Sequence, residues 1–160
     1  MKEIWNGIQV AIAAVGGWIG YFLVGFLEMN PALDIEGWDT AMKTVILANS
    51  FWGKACTLGD VNITGIQDLT KEDVDAAAAK GRTWCMVGRA VQQPDGGLYL
   101  STEAVSLPAN DPLARADWRD KVLCMKTRSQ GEQVHYSLGA SASGTPGCIY
   151  NDLILAAKTL

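Results

Sequence analysis

Residues 28 to 43 read EMNPALDIEGWDTAMK, four acids followed by a single lysine. Asp39 and Lys43 are four apart, so on a helix they share one face. A lysine beside a carboxylate can hold or deliver a proton, and aspartate or glutamate can bind a substrate ammonium. Glu28 and Asp34 add two acids upstream of that pair, which would suit a small ligand resembling an amino acid. Taken alone, Asp39 with Lys43 is also an ordinary solvated pair worth about 0.3–0.5 kcal/mol. The pattern by itself leaves both readings open.

The elements that must position these side chains follow from local signals. The stretch DTAMKTVILAN predicts a helix from Asp39 to about Asn49, with Gly37 at its entry and Trp38, Met42, Val45 and Asn49 near helical spacing. Asp34 falls in a loop opened by Pro31, about one turn before that helix. A second helix is expected in LTKEDVDAAAAKG, with Thr70 as N-cap, Glu72 and Asp73 in the first turn and Gly81 closing it. TWCMVGRAV and LYLSTEAVSL predict two strands around the turn PDGG. KVLCMKTR and EQVHYSLGA predict a second pair hinged at Gly131. A glycine-rich turn, GASASGTPG, leads to a last helix, CIYNDLILAAKTL. Two strand pairs and three helices imply an α+β domain, with an antiparallel or mixed sheet and helices on one face.

Composition narrows the function classes. The chain has 160 residues and a formal charge of −4, with no basic run, which excludes a nucleic-acid partner on electrostatic grounds. Cys56, Cys85, Cys124 and Cys148 form no C-x-x-C pair, and only His135 could join them. Reduced, packed thiols are expected rather than a zinc site or a disulfide framework. His135, in a predicted strand, reads as a surface or packing residue because no nucleophile–base constellation accompanies it.

Residues 4–27, IWNGIQVAIAAVGGWIGYFLVGFL, carry no charge. Their length suffices for a membrane helix, and Gly16 and Gly20 form a G-x-x-x-G pair. A buried helix of a soluble protein is the competing reading. The opening MKEIWNGIQVAIAAVGGWIGYFL resembles the first membrane helix of small phage-lysis holins of the toxin-secretion type. Residues 1–24 are therefore expected to be one apolar leader helix, with membrane contact possible through residues 4–27.

From Gly25 onward the chain resembles the substrate-binding and dimerisation part of homoserine dehydrogenase. The family segment G-[YF]-x-E-x-[DN]-P-x-x-D-[IVL]-x-G-x-D-x-x-x-K stands here as GFLEMNPALDIEGWDTAMK, with every marked position filled. GI at 65 and 66, TWCMVGRAV and DPLARADWRDKVLCMKT have counterparts in order. The resemblance implies that Lys43 exchanges a proton with the substrate hydroxyl or aldehyde oxygen. It implies that Asp39 holds substrate and orients Lys43, that Glu28 contacts the substrate amino group, and that Asp34 lines the same pocket. Gly139 matches the family glycine turn that approaches the nicotinamide end of NAD or NADP. Ser141 replaces a glycine there, which puts a close backbone approach in doubt. A plain strand-to-helix turn with Thr145 as N-cap is the structural alternative.

The implied substrates are homoserine or aspartate 4-semialdehyde, the implied assembly a homodimer, and the implied location cytoplasmic. No G-x-G-x-x-G follows a predicted strand, so a Rossmann domain is expected to be absent and residues 25–160 to be a truncated catalytic part, inactive alone. The alternative is a membrane-anchored, catalytically silent assembly domain or a holin-derived chimera.

Overall fold

The computed structural model describes residues 9–14, 32–116, 120–137 and 144–158. Its framework is one six-stranded sheet. The strands are β1 Gln9–Ala14, β2 Val61–Ile63, β3 Arg82–Gln92, β4 Leu98–Pro108, β5 Lys121–Thr127 and β6 Gly131–Ser137. Their spatial order is β2-β4-β3-β1-β5-β6. The β2–β4 pair is parallel and the others are antiparallel, so the sheet is mixed. The helices are α1 Ala32–Ile35, α2 Trp38–Trp52, α3 Lys71–Ala78 and α4 Gly144–Lys158.

Both predicted hairpins form. Between β3 and β4 the backbone turns at Gly96 with φ 83°, and Gln93 N–H donates to Gly97 O at 2.8 Å. Between β5 and β6 the turn falls at Gly131, φ 70°. Left-handed φ values of this kind favour glycine. The β5–β6 register pairs Lys121 with Ser137 and Leu123 with His135.

Around α3, Thr70 caps the helix by accepting from Asp73 N–H, while Asp73 accepts from Thr70 N–H. The helix expected at 39–49 runs from Trp38 to Trp52, entered through Gly37 in the left-handed region, φ 84°. Asp34 lies on α1, where a loop was expected. The last helix begins at Gly144, ahead of the expected N-cap Thr145, which sits instead in its first turn. Pro146 is tolerated there because first-turn N–H groups have no partner within the helix.

The N-terminal expectation is overturned. Residues 9–14 are not part of an apolar helix over 4–27; they form β1, paired with β3 on one side and β5 on the other. A short apolar run with β-branched residues such as Val10 and Ile12 satisfies a buried strand as well as a helix, and periodicity alone does not separate them. Among the described residues no helix is long and apolar enough to cross a membrane. The holin resemblance of residues 1–24 thus finds no support in the fold.

The sheet's two faces are covered differently. On one, Ala48 of α2 packs with Ala90 and Leu100, flanked by Val45, Trp52, Val61 and Leu98. On the other, Cys85, Val87 and Val122 pack with Leu113 and Ala116 of the segment that follows β4. Trp84 Nε1 donates to Asp73 O at 3.3 Å. Trp84 alternates with Cys85 along β3, so α3 shares the α2 face.

Candidate active site

Small residues decide how α2 lies on the sheet. Thr40, Ala41, Thr44 and Ala48 are its buried positions, a one-sided stripe at helical spacing. Opposite them stands Gly88 of β3. A β-carbon there would lie 2.1 Å from Thr44 Oγ1 and 3.1 Å from Thr40 Cγ2. With Thr40 and Thr44 against the strand, Asp39 and Lys43 are turned about 100° to the side of the helix. Lys43 Nζ donates to Asp39 Oδ2, a half-exposed ion pair. Glu36 is engaged elsewhere and accepts from Trp38 Nε1 at 3.0 Å.

Lys43 of this pair lines a groove of about 480 Å³ between α2 and the β5–β6 hairpin. Lys43, Ile46 and Leu47 line it from the helix, and Lys121, Leu123, His135 and Ser137 from the strands. The register explains the meeting. Position 12 of β1 pairs with Gly88 and with Leu123, so Leu123 lies in the cross-strand row that faces α2. Lys121 precedes Leu123 by two residues and shares its face, as do their partners Ser137 and His135.

Of the expected site residues, Asp39 and Lys43 are brought together. Asp34 stands one helix earlier, and its backbone carbonyl accepts from Gly37 N–H at 3.2 Å. Glu28, Gly139 and Ser141 lie outside the described residues. The groove adds Lys121 and His135, which carried no functional signal in the sequence. Strand alternation puts both on one face, but only the position of α2 shows which face it is.

The described residues offer one place where a glycine turn could cradle a phosphate. The one strand-to-helix connection wholly within them, β2 to α3, passes through Gly65. A β-carbon there would lie 2.4 Å from Ile35 O and 2.1 Å from Gln67 Oε1. Protein atoms already occupy the space a pyrophosphate needs at a glycine turn. The Gly65 turn therefore has no room for a pyrophosphate. Nor do the described residues hold a group of three or more candidate metal ligands. Cys85 and Cys124 are free thiols, each pushed up to about 11 by burial first and by the Asp111 carboxylate second.

A family model for homoserine dehydrogenase matches residues 23–154. The chain belongs to the homoserine dehydrogenase family. A homoserine dehydrogenase of Methanocaldococcus jannaschii is 37% identical over 131 residues, covering 82% of this chain and 37% of the relative. An NAD(+)-dependent homoserine dehydrogenase of Pseudomonas canavaninivorans is 29% identical over 131 residues, with the same coverage of 82% and 37%. In structure, the chain resembles a homoserine dehydrogenase from Thiobacillus denitrificans with a TM-score of 0.79 at 24% identity, over 93% of this chain and 39% of that one. A chain from Archaeoglobus fulgidus, described as a homoserine dehydrogenase, gives 0.75 at 25% identity, over 94% and 51%. This homoserine dehydrogenase family chain thus spans little more than a third of the curated relatives it matches.

Proposed function

We propose that this chain forms the substrate side of a homoserine dehydrogenase active site, which interconverts homoserine and aspartate 4-semialdehyde. The Asp39–Lys43 ion pair, its lysine lining a groove on a domain of this family, carries the reading. Lys43 as the neutral amine takes the hydroxyl proton of homoserine as the carbonyl forms, and as the ammonium returns it to the alkoxide in reduction. Asp39 keeps the ammonium aimed into the groove. Glu28 takes the substrate ammonium, and Asp34 lines the same pocket.

A nicotinamide dinucleotide, NAD or NADP, would accept or supply the hydride. The Gly65 turn leaves no room for its phosphates. The same reading makes the assembly a homodimer, and Trp38, Met42 and Ile46, exposed along one side of α2, are the apolar surface available for it.

The test is NAD- or NADP-dependent oxidation of L-homoserine, followed by the absorbance of the reduced nucleotide. The full chain is assayed alone and joined to a nicotinamide-nucleotide-binding domain. Turnover is expected only from the joined protein, with Lys43→Ala lowering kcat/KM by roughly 10²–10⁴-fold and Glu36→Ala leaving it unchanged. Equal turnover by Lys43→Ala and its parent would remove the proton-transfer role.

A further inference from the structure

The groove beside Lys43 has a second cationic wall that the proton-transfer reading does not use. Lys121 lies at the start of β5 on the α2-facing side, and His135 on β6 faces the same way beside Leu123. Leu47 and Leu123 add apolar lining to the same groove. The two lysines differ in their surroundings. Lys43 is neutralised by Asp39, whereas Lys121 has no ion pair among the described residues. A lysine with no ion pair among the described residues, lining the same groove as a lysine paired to an aspartate, suits a short ligand with two unlike polar ends. One end is an oxygen that gains or loses a proton at Lys43. The other is an anion at Lys121.

We propose that Lys121 holds the α-carboxylate of the amino-acid substrate, with the His135 imidazole as a second donor. This rests on the homoserine reading of the groove. The geometry adds selection for α-amino acids over amino alcohols of the same length. A lysine serves a carboxylate here as a point charge with rotatable donors, and the apolar lining makes the charge-assisted hydrogen bond stronger than it would be in open water. The β5–β6 register also separates the roles, because Lys121 sits on the strand wall and Lys43 on the helix wall.

Titration calorimetry on the full chain tests this with two ligands, L-homoserine and 3-aminopropan-1-ol, which lacks only the carboxylate. The unaltered chain is expected to bind homoserine more tightly. Lys121→Met should weaken homoserine by roughly tenfold or more while leaving the amino alcohol unchanged, and Lys121→Arg should restore most of the loss. Lys43→Met should weaken both ligands. If Lys121→Met binds homoserine like the unaltered chain while Lys43→Met does not, the carboxylate role of Lys121 is wrong and the groove reading stands. If Lys43→Met and Asp39→Asn change neither ligand, or the unaltered chain binds neither, the groove reading falls and this proposal with it.

Discussion

A β-carbon at Gly88 would come within 2.1 Å of Thr44 Oγ1 and 3.1 Å of Thr40 Cγ2. Both threonines are buried and β-branched, so neither can swing aside cheaply. Gly88→Ala should therefore lift α2 off β3 and lower stability by about 1–3 kcal/mol, the usual cost of overpacking. The urea midpoint measures this, with Thr44→Ser in the same background as a partial relief. The lift would also move Lys43 relative to Lys121, so homoserine affinity should fall together with stability. Little of this showed in the sequence. Gly88 sits inside TWCMVGRAV like any strand glycine, and nothing local says that a helix lies across it. Asp39 and Lys43 were legible because i, i+4 spacing is a local property. Lys121 and His135 were not, because their meeting with Lys43 depends on long-range register.

At the scale of elements, the local signals of turns and caps fared best. Thr70 and Asp73 bond reciprocally at the start of α3, and the Thr70 hydroxyl, followed by its backbone N–H, holds the Asp73 carboxyl below its ordinary range. A carboxyl lowered in the folded state contributes stability that is present above its unfolded value near 3.8. That contribution is lost as pH falls through the lower folded value. Thr70→Ala should thus be less stable than its parent at pH 7, and the gap should narrow as pH drops below the ordinary aspartate range, leaving the part due to the lost N-cap bond from Asp73 N–H. Urea midpoints at a series of acidic pH values report it; a gap that stays constant down to the acid limit would show that the Asp73 charge plays no part. The elements that sequence reading missed are β1, β2 and α1. β2 spans only Val61–Ile63 and α1 only Ala32–Ile35, too short to show a period. β1 lies in an apolar run whose composition fits two kinds of element.

For the whole molecule, the α+β class was legible from the order of strands and helices, while an antiparallel and a mixed sheet both remained open and the structure shows a mixed one. The topology was not legible, since β1 pairs with strands far along the chain. One consequence concerns the thiols. Cys85 and Cys124 sit on the buried face beneath Leu113, with their thiols raised to about 11. Keeping them neutral favours the fold fully below the unfolded value of 9.0, and that advantage is lost as pH rises toward 11. Iodoacetamide at pH 8, followed by peptide mapping, should label Cys56 well before Cys85 or Cys124; rapid labelling of Cys85 in the native protein would contradict its burial. The place of β1 has a further consequence, in the order of assembly. Each hairpin can close from neighbouring residues, but the helix wall of the groove belongs to the β3–β4 half and the strand wall to β5–β6. Among the described strands, β1 (residues 9–14) is the one that joins the two halves of the sheet by backbone hydrogen bonds. Residues 9–14 precede β5 by more than a hundred positions and must pair with it before the two walls face each other, and such non-local closure is slow. Ligand competence should therefore be the last property a refolding chain recovers, after its secondary structure has returned.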